Sequence, residues 1–152
     1  MPNVILAEHG TPTAMTITVN GMASSPSGAG RQSTIIDNTN NAQMVHVYVK
    51  ITVGTTPTAN TSIYVYLIKS DGTLRSDGAG ASDANLTVTN ARLLGTIRVP
   101  VNTSDTAYYG EYLVRNPGKE WGIAIVHDTV AALNNTAANH AVRYTVENVE
   151  VQ

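Results

Sequence analysis

The stretch Met44-Val45-His46-Val47-Tyr48-Val49-Lys50-Ile51-Thr52-Val53 decides the fold class. In an extended chain Val45, Val47, Val49, Ile51 and Val53 share one side. Met44, His46, Tyr48, Lys50 and Thr52 share the other. A helix would scatter these β-branched residues around its circumference, whereas a strand collects them on one buried face. The run therefore reads as a half-buried strand.

Outward from it the same period recurs. After the loop Gly54 to Thr61, Ile63, Val65 and Leu67 alternate with Tyr64, Tyr66 and Ile68, and Asp71-Gly72 ends the run with a turn signal. The two strands are expected to be antiparallel neighbours. Met15, Ile17 and Val19 alternate with threonines and stop at Asn20-Gly21. Ser33 to Asp37 and Leu86 to Val88 are short candidates. Leu93 to Val99, Tyr108 to Arg115, Trp121 to Ile125 and Val142 to Val151 complete the series. Asp128 to Leu133 is too short for a convincing helix. Eight or nine strands without helices predict an all-β chain. Long connections such as Gly72 to Asn85 favour a two-sheet antiparallel β-sandwich, with a jelly roll among its topologies. Residues 1–152 are expected to form one domain, with residues 1–10 as an N-terminal arm.

Composition narrows the function. Charged residues make up 13% of the chain, about half the usual share, and the formal net charge is −2. The nine Lys and Arg are scattered singly, which argues against a nucleic-acid partner. The absence of cysteine removes disulfides, zinc–thiolate sites and thiol nucleophiles. The first ten residues lack the basic start of a signal peptide, and no apolar run approaches a membrane span. The reading is a soluble protein with no membrane partner.

No catalytic constellation stands out, so no enzyme and no cofactor is expected. His127-Asp128 is adjacent in sequence, but strand neighbours point to opposite faces, and His127 is expected to be a solvated loop residue. Asp71, Asp77 and Asp83 lie in a Gly-, Ala- and Ser-rich run. They lack the ligand order of a calcium loop, so a flexible surface loop is expected. Gly28-Ala29-Gly30 has no lysine or third glycine at phosphate-loop spacing.

Contact is the work that remains. If Met44–Val53 pairs with Ser62–Lys69, then Met44, His46, Tyr48, Tyr64, Tyr66 and Ile68 share one face. That face is either a partner-contact surface or lies beneath a loop or third layer. Val4, Ile5 and Leu6 in the arm are expected to add as a strand to this sheet or to a neighbour's edge.

From about Arg31 onward the chain resembles small virion structural proteins of tailed bacteriophages. The resemblance rests on Ser33-Thr34-Ile35-Ile36-Asp37-Asn38, the stretch Val47 to Ile68, Gly80-Ala81-Ser82-Asp83, and Trp121-Gly122-Ile123-Ala124-Ile125-Val126. It implies a non-enzymatic decoration or cement protein on the capsid surface, made in the host cytoplasm. Its implied partners are the major capsid protein and copies of itself, with a trimer as the common form. The rival is a carbohydrate- or receptor-binding tail module that uses Tyr108, Tyr109, Tyr112 or Trp121 against sugar rings.

Overall fold

A computed structural model describes residues 5–25 and 28–151. It places eleven strands among the described residues, all paired antiparallel. They are β1 (Ile5–His9), β2 (Thr13–Ala14), β3 (Ala29–Gln32), β4 (Ile36–Asp37), β5 (Met44–Thr52) and β6 (Thr61–Ser70). There follow β7 (Ala84–Thr87), β8 (Arg92–Val99), β9 (Ala107–Arg115), β10 (Glu120–His127) and β11 (Ala141–Val151). The only helical element described is a 3₁₀ turn, Ala137–Asn139.

One sheet runs β1–β11–β5–β9, with β2 also on β11. The other runs β7–β3–β10–β6–β8, with β4 also on β10. When β1/β2 and β3/β4 are each counted as one interrupted strand and β7 is set aside, eight strands remain. In chain order the first pairs with the eighth, the second with the seventh, the third with the sixth and the fourth with the fifth. This is a long hairpin wrapped into a double-sheet jelly roll. The β-sandwich is the architecture that the strand pattern predicts.

The expected pairing of β5 with β6 is wrong. β5 pairs with β11 and β9, whereas β6 pairs with β10 and β8. Each strand carries its own complete apolar face. The chain between them crosses from one sheet to the other, so the two faces meet through the core instead of lying side by side. Val45, Val47, Val49 and Ile51 of β5 face Ile63, Val65 and Leu67 of β6 in one buried cluster with Trp121, Ile123 and Ile125 of β10. Trp121 meets the Tyr144 ring edge-on at 5.2 Å.

Two of the expected strands are altered. Residues 15–19 join no ladder, although Met15 and Val19 are buried as expected. Only Ile36 and Asp37 of the Ser33–Asp37 candidate pair with β10. The Asp71–Asp83 segment also departs from the flexible loop expected of it. Ser76 donates its N–H to the Lys69 carbonyl and Ile35 donates to the Ala81 carbonyl. The Asp71 carboxylate holds its own turn through the Thr73 and Leu74 N–H groups. Asp77 accepts from the N–H groups of Thr89, Asn90 and Ala91. Asp83 pairs with Arg31 and with the Thr18 hydroxyl. Each carboxylate of the supposed flexible run thus shapes or tethers backbone.

Candidate contact face

β6 and β10 present Tyr64, Tyr66 and Ile68 beside Val126, Ala124 and Gly122 on the outer side of their sheet. The excursion through β7 covers this side. Ile68, Ala124 and Leu86 are buried there, with Ile35, Tyr66, Val88 and Ala91 packed against them. Of the two alternatives set by sequence, Tyr66 and Ile68 take the one beneath a loop. Tyr64 donates its hydroxyl to the Asp128 carboxylate at 2.9 Å, and that hydrogen bond, with burial, raises the tyrosine pKa above 10.0.

Met44, His46 and Tyr48 lie on the opposite side of the sandwich. The six residues therefore do not form one face, because β5 and β6 belong to different sheets. On the β5 sheet the register sets four cross-strand rows on the outer side. They are Glu147–Met44–Arg115, Thr145–His46–Leu113, Arg143–Tyr48–Glu111 and Ala141–Lys50–Tyr109. Here Tyr109 is 71% exposed, and Tyr48 and Leu113 are about 40% exposed, so among the described residues no further layer packs over this face. His46 stands between two carboxylates. Its Nε2 lies 3.1 Å from Glu147 and its Nδ1 lies 3.6 Å from Glu111, and its ring stacks on Tyr48. At the far end of the face a hollow of about 440 Å³ opens between Tyr48, Lys50, Tyr109, Glu111, Ala141 and Arg143.

The arm contributes backbone. Val4 lies outside the described residues. Residues 5–9 form β1 on the end of β11, pairing Ile5 with Val151, Ala7 with Val149 and His9 with Glu147. β5 reaches only to the Met44–Glu147 pair. Residues 148–151 therefore pair with 5–8 alone, as a two-stranded ribbon running past the sheet.

Comparison with known proteins adds no family. No protein-family model matches the chain, and no curated protein matches it either.

The remaining candidates resolve as follows. Trp121 is buried in the core, and the hydroxyls of Tyr108 and Tyr112 are also buried, which leaves Tyr109 as the exposed ring of the rival set. His127 is not solvated. It is fully buried, with Nδ1 2.8 Å from the Thr129 hydroxyl and Nε2 3.0 Å from the Met22 carbonyl. Strand alternation turns it into the core while Asp128 turns out toward Tyr64. No group of three or more His, Asp or Glu among the described residues could hold a metal ion. No helix among them is long and apolar enough to cross a membrane. Sequence reasoning missed Lys50, Arg143 and Glu111. The signal was present in the polar positions of three strands, but only the β11–β5–β9 order brings them together.

Proposed function

We propose that the chain is a non-enzymatic structural subunit of a bacteriophage virion, a decoration or cement protein that binds the capsid surface. Its partners in this reading are the major capsid protein and copies of itself. The observation that carries the proposal is the terminal ribbon of residues 5–8 and 148–151. A two-stranded ribbon is marginal alone in water, and its edge strand offers unpaired backbone groups. A neighbouring subunit that adds a strand satisfies both needs, which is how extended arms clamp one protein to another. Two further features support the reading. The double-sheet jelly roll is an architecture found in viral capsid domains, an argument by analogy of fold. The Met44–His46 end of the uncovered face adjoins the ribbon, so edge addition and face contact fall at one end of the sandwich.

The test is co-sedimentation with purified capsids, for the full chain and for a chain lacking residues 1–9. The full chain is expected to pellet with capsids. The shortened chain is expected to remain in the supernatant while keeping a cooperative thermal transition. A full chain that stays in the supernatant overturns the proposal. Equal pelleting of both chains removes the ribbon as its basis.

A further inference from the structure

The hollow at the other end of the uncovered face differs in character from the ribbon end. Tyr48 and Tyr109 stand on neighbouring strands one row apart, and the small Ala141 opens space opposite them. The aromatic rings supply flat apolar wall with a polar tip. The volume, about 440 Å³, lies within the range of small-molecule sites.

Charge makes the hollow selective. Lys50 and Arg143 both border it, and neither makes an ion pair with any described residue. Glu111, the remaining charged group of the lining, lies 3.6 Å from His46 Nδ1, toward the middle of the face. The hollow therefore offers two uncommitted cations, one of them a planar fork suited to bidentate carboxylate binding. It also offers one acceptor, Glu111, and two ring faces. A ligand that uses all of these carries a carboxylate, hydroxyl donors and a flat, partly apolar face.

We propose that this hollow binds a saccharide bearing a carboxylate, with the acid between Lys50 and Arg143, the sugar ring on Tyr48 and Tyr109, and a hydroxyl donating to Glu111. Uronic and sialic acids share this chemistry. The site stands apart from the capsid reading. Rows Ala141–Lys50–Tyr109 and Glu147–Met44–Arg115 are six residues apart along β9, about 20 Å at strand rise. A subunit held by its ribbon end leaves the hollow open to solvent.

The experiment is an amide-resolved NMR titration of the full chain with methyl glucuronide, 3′-sialyllactose, neutral methyl glucoside and a glutamate-rich peptide. At least one carboxylated sugar is expected to give saturable shifts centred on Lys50, Tyr109, Arg143 and their neighbours. Methyl glucoside is expected to give none. Arg143→Ala and Tyr109→Ala should each weaken binding roughly tenfold, the scale of one charge-assisted hydrogen bond or one aromatic contact. Arg115→Ala, at the ribbon end, should leave binding unchanged. Unchanged amide dispersion in each variant shows that its fold is intact. Response to the two sugars separates uronic from sialic acid as the source. No saturable shift with either sugar, equal response to methyl glucoside, or response to the peptide alone overturns the proposal. The last outcome would instead assign the hollow to an acidic protein segment. Capsid co-sedimentation is read separately, so either reading can fail without the other.

Discussion

The Gln32 side chain grips the loop beyond β6 at three points: its oxygen accepts the Ala79 N–H at 2.6 Å, and its amide nitrogen donates to the carbonyls of Gly80 and Ser82 at 2.9 and 2.7 Å. Gln32 is fully buried, so these bonds replace water that the site excludes. Gly78 lies so close that a Cβ there would stand 2.6 Å from the Gln32 oxygen, and its φ of +108° suits glycine alone. Replacing Gln32 with Leu strands one N–H and two carbonyls. The expected loss is about 3 kcal/mol by urea unfolding, together with faster hydrogen exchange at Ala79. Gly78→Ala should lose a similar amount through strain. Unchanged stability in both variants would show that the loop is not held this way.

The two tyrosine groups once expected on one face should behave in opposite ways. Tyr66 packs on the Ile68–Leu86–Ala124 cluster under the β7 excursion. Tyr66→Ser should cost about 2 kcal/mol, as a partly buried aromatic does. Tyr48 is 39% exposed and touches mainly the His46 ring and the hollow. Tyr48→Ser should stay within about 1 kcal/mol of the parent, the scale of a cross-strand pair. Thermal melts of the two variants check the difference. Equal melting temperatures would contradict the covering of Tyr66 by the β7 excursion.

These two tyrosines mark how far the sequence could be read. Alternation along β5 and β6 identified their inward residues, because burying one side of a pleat needs only local period. Which strands pair is set by how whole apolar faces stack across the core, and a jelly roll separates chain neighbours. The Tyr48 and Tyr66 faces therefore parted, and the outward positions of Lys50, Glu111 and Arg143 met only through the β11–β5–β9 order. His127 was misjudged for a related reason. Its sequence neighbours Asp128 and Thr129 look like a loop, yet the last inward position of β10 still points into the core.

Burial of His127 predicts a pH effect. Its Nε2 faces the Met22 carbonyl, which only accepts, so in the neutral ring that nitrogen carries the proton, while Nδ1 lies 2.8 Å from the Thr129 hydroxyl. Burial lowers the His127 pKa below 6.5, against opposing hydrogen bonds to backbone, and burial lowers that of half-buried His140 as well. Below about pH 6.5 the unfolded chain binds protons that the folded chain resists. Stability should therefore be level above that pH, fall as pH drops toward the depressed folded values, and level again below them. A second decline belongs to Asp77 and Asp83. Burial raises their pKa, but it is outweighed by backbone N–H donors at Asp77 and by Arg31 and Thr18 at Asp83, leaving both below 3.8. Their contribution is present above pH 3.8 and is lost as pH falls through those lower values. Urea midpoints from pH 8 to 3 check both windows. His127→Gln should shrink the first to the share of His140 and leave the second unchanged. A wild-type profile that stays level between pH 7 and 5 would contradict the buried neutral ring.

The turn after His127 carries backbone strain that one substitution should relieve. Ala131 donates its N–H to the Thr129 carbonyl at 2.9 Å, and Val130 between them has φ of +70°. A three-residue turn with a positive central φ is the strained γ-turn, and a β-branched residue is the least suited to it. The strain is held from both sides: Thr129 is fully buried, and the Val130 N–H donates to the Ser24 hydroxyl at 3.0 Å. The Val130 side chain offers little in return, since it is 70% exposed. Glycine adopts positive φ at no steric cost but loses more backbone entropy on folding, about 0.5–1 kcal/mol. Strain of about 1–3 kcal/mol outweighs that loss. Val130→Gly is therefore expected to raise stability by about 1 kcal/mol in urea unfolding. Ser24→Ala, which removes one of the two restraints, should lower it. A destabilised Val130→Gly would mean that the valine side chain contributes contacts that its exposure does not show.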